Sequence, residues 1–221
     1  MTTRATSVAP PVPVTVLDYG IGNLLNVVRA LTHAGATVRV TDKATLQDAQ
    51  SSRMVLPGVG AFGDGMAELK ARGFDDLVKR FADTGRPFLG ICVGMQVLLD
   101  ASEEMGEHAG LGLIPGRVLP VPALGADDRS HRIPHIGWRS LQADQPWDGG
   151  LLAGVQPGER VYFVHSFAAV PDDASLRLAT VDYDGVPICA AVRRDNVYGC
   201  QFHPERSAGV GLSMLRNFLT L

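Results

Sequence analysis

Two short stretches carry residue types that could cooperate in nucleophilic catalysis. The first is Gly90-Ile91-Cys92-Val93-Gly94, inside RPFLGICVGMQVLLD. Here an apolar strand-like run gives way to a helix-like pattern. In a G-x-nucleophile-x-G elbow the central residue holds a strained backbone, and side chains two positions to either side would collide with their surroundings. Glycine at both positions removes the clash and holds the sulfur above the carboxyl ends of the strands, where open α/β sheets bind ligands. A following helix from about Val93 to Ala101 would present its positive end, which favours thiolate over thiol. The Val93 N–H would point toward an oxyanion formed by attack. The pentapeptide alone is equally compatible with a buried cysteine whose neighbours are small for packing.

The second stretch is Phe202-His203-Pro204-Glu205, expected at the end of the last strand. Extended residues two apart share a side, so His203 and Glu205 can lie together. Pro204 biases His203 toward extended backbone and fixes its own torsion. A carboxylate beside an imidazole holds the ring's tautomer and stabilises its cation. Alone the pair reads as a surface ion pair; next to the elbow it supplies the base that Cys92 needs.

The elements that must bring these stretches together follow from periodicity. VTVLDYG reads as a strand, NLLNVVRALTHAG as a helix closed by Gly35, TVRVT as a strand and 44–49 as a weak helix. RMVLPG is a third strand, a helical region runs through LVKRFADTG, and PFLGI is a fourth strand. This βαβα order predicts an α/β fold: an open, mostly parallel central sheet of flavodoxin-like type with helices on both faces. The second half is strand-rich and adds antiparallel strands, with hairpin signals at Asp184-Gly185 and Asp195-Asn196. A final helix starts near Ala208 with Ser207 as its expected cap. The segment 120–150, rich in Gly and Pro, reads as surface excursions. Residues 1–12 are expected to be a disordered tail and 13–221 one domain.

Composition narrows the function classes. The chain has 221 residues, 46% hydrophobic and 19% charged, with a formal net charge of −3, which suits a domain with a real core and no nucleic-acid partner. No apolar run reaches the roughly 20 residues that cross a bilayer, and the N-terminus lacks a secretory h-region. Cys92, Cys189 and Cys200 do not form a disulfide framework, so a cytoplasmic location is expected.

Further motifs make a resemblance plain. Gly90 to Gln96 and His203-Pro204-Glu205 resemble the signatures of class I, triad-type glutamine amidotransferases. LDYGIGNLLNV, LPGVGAFGDGM, IPHIGW and YFVHSF, in that order, resemble the branch formed by the glutaminase subunits of imidazole glycerol phosphate synthase. The likeness runs from about Val14 to the C-terminus. It implies hydrolysis of glutamine through a Cys92–His203–Glu205 triad and a glutamyl thioester, without cofactor or metal. The ammonia would pass to a separate (β/α)₈-barrel cyclase of histidine biosynthesis. The resemblance further implies an oxyanion hole from Val93 and Gly60, and the two glycines flanking Val59 make a peptide flip in the Pro57–Gly60 loop cheap. Gly58, Gln96, His165 and Ser166 would contact glutamine, and Asn23, Asn26 and Trp138 would face the partner. Phe167 departs from the family's usual Tyr, and Val93 from its usual Leu.

Other signals carry less. Gly58-Val59-Gly60-Ala61-Phe62-Gly63 matches a dinucleotide fingerprint, but not in the first βα turn and without a well-placed acidic ribose ligand. His131 and His135 have zinc-like i, i+4 spacing, but Pro134 breaks the helix that spacing needs. The competing readings are a glutaminase for another pathway (anthranilate, GMP or pyridoxal phosphate), a non-catalytic partner-binding chain, and a thiol hydrolase unrelated to glutamine.

Overall fold

The computed structural model describes residues 11–45, 47–147 and 149–221. Most of the expected tail lies outside the described residues, and Val12 already belongs to the first strand. Along the first half run β1 (Val12–Leu17), α1 (Leu24–Ala34), β2 (Ala36–Thr41), β3 (Met54–Gly58), α2 (Phe62–Ala71), α3 (Phe74–Ala82), β4 (Phe88–Cys92) and α4 (Val93–Gln96). Then follow β5 (Leu99–Ser102), β6 (His108–Ala109), β7 (Ile114–Pro120), β8 (His135–Ala143), β9 (Arg160–His165) and β10 (Phe167–Pro171). The chain closes with β11 (Arg177–Tyr183), β12 (Val186–Arg194), β13 (Val197–Cys200) and α5 (Ala208–Thr220).

A nine-stranded mixed sheet in the order β2-β1-β3-β4-β13-β12-β11-β8-β9 forms the centre, beside a smaller sheet β10-β7-β5-β6. The strands from β2 to β13 pair in parallel and the rest antiparallel. Every residue of β3, β4 and β13 is buried, as strands covered on both faces must be, which is why they read as unbroken apolar runs. The order reverses at β1, so right-handed crossovers send α1 to one face and α2 with α3 to the other. Consistently, α1 packs on α5, and α2 on α3. Gly35 closes α1 in the left-handed region at φ 114°, donating to Leu31 and Thr32 carbonyls. Both hairpins form where expected, with Asp184, Gly185 and Asp195 at positive φ. No described helix is long and apolar enough to cross a membrane.

Several local expectations change. The helix after Cys92 is a single turn, Val93–Gln96. Past it the backbone leaves the helical path because Leu98, Leu99 and Asp100 carbonyls accept from residues 110–114, which draws the chain into the smaller sheet. Instead of a helix over 44–49 there is a 3₁₀ turn, Asp48–Gln50; Leu46 lies outside the described residues. The Asp48 carboxylate accepts from the Thr45 N–H (2.8 Å) and hydroxyl (2.6 Å) and pairs with Arg39, a local closure that competes with helix. Segment 120–150 is more than surface excursion, since β8 lies within it and joins the main sheet. Ser207 precedes α5 without capping it.

Candidate active site

Cys92 ends β4 at φ 55° and ψ −112°, outside the regions that L-residues favour. The structure gives each flanking glycine its reason. A Cβ on Gly90 would stand 2.4 Å from the Gly94 carbonyl oxygen, and one on Gly94 only 1.8 Å from that of Leu56 in β3. The elbow is therefore as tight as its spacing implies, and the sulfur is buried at the carboxyl ends of β3 and β4. The helix-dipole argument for a thiolate loses most of its force, because one helical turn aligns few peptide dipoles.

His203 arrives from the adjacent strand. β13 pairs with β4 as far as Cys200 beside Ile91, and three residues later His203 has extended backbone, as a residue before proline should. Its position is fixed twice. Its N–H donates to the Tyr162 carbonyl (2.9 Å), and its carbonyl accepts from the Ser207 hydroxyl (2.6 Å), whose oxygen accepts from the Tyr162 N–H (3.0 Å). Glu205 comes beside the ring by a route other than strand alternation: Pro204–Arg206 is a 3₁₀ turn. The Glu205 carboxylate, 1% exposed, lies 2.8 Å from His203 Nδ1. Burial lowers the His203 pKa, but the Cys92 sulfur and the Glu205 carboxylate outweigh it and carry the pKa from 6.5 up to about 10. The surroundings therefore favour the charged ring. Nε2, the ring nitrogen not held by Glu205, has no hydrogen-bond partner at bonding geometry.

A pocket of about 240 Å³ opens over the sulfur, lined by Val59, Gly60, Cys92, Val93, Gln96, Glu104, Pro134 and Val164 to Phe167. It gathers Gly60, Val93, Gln96, His165 and Ser166 from the sequence reading. Gly58 is not among its walls. It is buried at the end of β3, where a Cβ would stand 2.1 Å from the Tyr19 oxygen, so its smallness serves packing. The His165 ring is spoken for: Nδ1 donates to the Phe167 carbonyl (2.8 Å), and Nε2 accepts from His135 Nδ1 (3.0 Å). Burial is the main cause lowering its pKa to about 4, so a glutamine contact at this position falls to its backbone. Trp138 is 37% exposed on β8, edge-on to Tyr162. Asn23 stands at the head of α1 but its side chain makes no cap bond. Asn26 lines a separate hollow with Arg29, His33 and the back of Glu205.

Two residues escaped the sequence reading, and a third, His135, was weighed there only as half of a zinc pair. Glu104 brings the pocket its one carboxylate and accepts from the Phe62 N–H (2.7 Å). Gln201, fully buried, donates to the Cys92 sulfur (3.6 Å) and accepts from Gln96 Nε2 (3.0 Å). His135 anchors His165 from β8. Gln201 had a signal, a polar residue just past an apolar strand and two places before His203; Glu104 had none that periodicity reads.

The family model for Glutamine amidotransferase class-I matches residues 15–221. The chain is 48% identical over 212 residues to "Imidazole glycerol phosphate synthase subunit HisH 1" of Legionella pneumophila (strain Lens), covering 94% of this chain and 99% of the relative. It is 47% identical over 206 residues to the HisH subunit of Syntrophotalea carbinolica, covering 93% and 98%. Its fold is similar to PurLQS from Thermotoga maritima, with a TM-score of 0.71, 21% identity, and 95% and 98% coverage. That last likeness speaks to fold alone. The chain belongs to the class-I glutamine amidotransferases, in the branch of the HisH subunits of imidazole glycerol phosphate synthase.

Proposed function

We propose that the protein is a glutaminase that supplies ammonia to a separate cyclase chain in histidine biosynthesis, in a reducing cytoplasm. The observation that carries the reading is the imidazole ring of His203, held by Glu205 at 2.8 Å beneath a pocket that the Cys92 sulfur also lines, in surroundings that raise its pKa. A cationic ring beside the sulfur favours thiolate, the form that attacks. Attack on the side-chain amide carbonyl of glutamine forms an S–C bond and puts negative charge on oxygen. The Val93 N–H and one from the Pro57–Gly60 loop would take that charge. His203 then gives its proton to the leaving nitrogen, and ammonia departs as the thioester forms. The neutral ring takes a proton from water, which cleaves the thioester to glutamate and frees the sulfur for another cycle. Glu104 is the pocket's match for the α-ammonium of the substrate.

Loop 58–61 is suited to switching. Val59 is exposed, and Gly60 sits at φ 95°, so reorienting a peptide there costs little. The partner would be a (β/α)₈-barrel cyclase that receives ammonia and forms imidazole glycerol phosphate and an aminoimidazole carboxamide ribotide. Trp138, Asn23 and Asn26 are candidate partner contacts. The decisive measurement is ammonia release from glutamine, with and without the cyclase and its ligand. Release that rises on complex formation and vanishes in Cys92→Ala is expected; turnover that survives Cys92→Ala would sink the assignment.

A further inference from the structure

The triad does not use every group that touches the sulfur. A chain of buried hydrogen bonds reaches Cys92 from the side of Gln201, and its direction is fixed at its far end. The Phe167 backbone carbonyl is an acceptor only. It receives His165 Nδ1 (2.8 Å) and Gln96 Nε2 (2.9 Å), so the end of Gln96 that meets it must be the amide nitrogen. That same nitrogen meets the Gln201 side chain at 3.0 Å, so the Gln201 atom facing it must be oxygen. The remaining end of Gln201, its NH₂, is left toward the sulfur at 3.6 Å. Neither amide can turn over without setting donor against donor or acceptor against acceptor inside a buried cluster.

From this polarity we propose that Gln201 acts on the reacting sulfur itself, as a fixed N–H donor to the Cys92 thiolate, and that Gln96 is the positioning residue holding Gln201 in that orientation. The proposal rests on Cys92 being the nucleophile and adds a group to its machinery. A donor held against sulfur favours thiolate over thiol, since hydrogen bonds to an ionised acceptor are stronger than to a neutral one. It works alongside the His203 cation and remains in place after that ring has given up its proton. It also means the Gln96 amide nitrogen is committed inside the protein, leaving its carbonyl end for substrate.

The test is the pH dependence of Cys92 alkylation by iodoacetamide in the full chain, followed by mass spectrometry of the Cys92 peptide. Cys189 and Cys200 serve as internal references, being buried with thiol pKa values pushed up by desolvation. Gln201→Met keeps the length of the side chain and deletes the donor. Its alkylation midpoint should rise by about one pH unit, a roughly tenfold slower reaction at any fixed pH below both midpoints. Gln96→Met, which leaves Gln201 present but untethered, should shift the midpoint in the same direction by less. A purely structural Gln201 would change the thermal midpoint and leave the alkylation midpoint where it was, and that result overturns the proposal. Should Gln201→Met fail to fold, Gln201→Glu decides, since a carboxylate of the same shape offers no N–H and should raise the midpoint further. Alkylation requires no glutamine turnover. A shifted midpoint in a protein without glutaminase activity would therefore sink the functional reading alone, and an unmoved midpoint in an active enzyme would sink this proposal alone.

Discussion

Cys92 shows what a side chain at a sharp bend costs its own protein. Its φ of 55° with ψ of −112° is a conformation only glycine adopts freely, and holding a side chain there costs about 1–3 kcal/mol. Cys92→Gly should therefore lose ammonia release entirely while the thermal midpoint rises by several degrees, with calorimetry and an ammonia assay on one preparation checking both. A midpoint that falls would mean that the strain is absent. The flanking positions have no such latitude, because β3 and the elbow's own backbone occupy the space. The spacing of these residues is fully legible in sequence because it answers to local sterics. Gln201 shows in sequence only as a polar residue past an apolar strand, because its partners, Gln96 in α4 and Cys92 at the end of β4, lie far along the chain and meet it only in the fold.

Among the elements, the β8–β9 ladder ties stability to pH. His135 and His165 are directly opposed in it, Nδ1 to Nε2 at 3.0 Å, and His135 stacks on Phe163 and Tyr183 with centroids 5.0 and 4.1 Å away. Desolvation is the leading cause that lowers both pKa values, to about 3 and about 4. Both rings are neutral in the folded protein, whereas in the unfolded chain they protonate near 6.5. As pH falls from 6.5 toward 4 the unfolded state binds the protons and the folded state refuses them, so each ring removes about 1.4 kcal/mol of stability per pH unit. In His135→Phe the slope of unfolding free energy over that window, from denaturant titrations, should flatten by about that amount; an unchanged slope would contradict it. The sequence shows β9 clearly but hides β8. The first residues of that strand alternate (buried, exposed, half-buried, exposed, half-buried), so no apolar run announces it among the glycines and prolines around it. The short α4 is the converse case, where an apolar helical pattern yields to long-range pairing with residues 110–114.

At the scale of the whole molecule, β8 carries Ile136 and Trp138 outward, 50% and 37% exposed, while the preceding residue, His135, is fully buried and bonded to the pocket wall. A docking partner pressing on this strand would lie one side chain away from the pocket over Cys92. Trp138→Glu should leave the isolated protein's fold and thermal midpoint essentially unchanged, yet abolish most of the cyclase-dependent rise in ammonia release; full stimulation would remove Trp138 from the interface. The parallel half of the architecture and both hairpins follow from patterning in the chain. The second sheet does not, because β5 and β6 are four and two residues long, too short for periodicity to register.

Because β13 pairs directly with β4, Cys92 and the segment that leads to His203 leave the sheet side by side. The spacing of about 4.8 Å between hydrogen-bonded strands sets where both segments start. A one-residue slip of β13 against β4 would turn every side chain of β13 to the opposite face of the sheet.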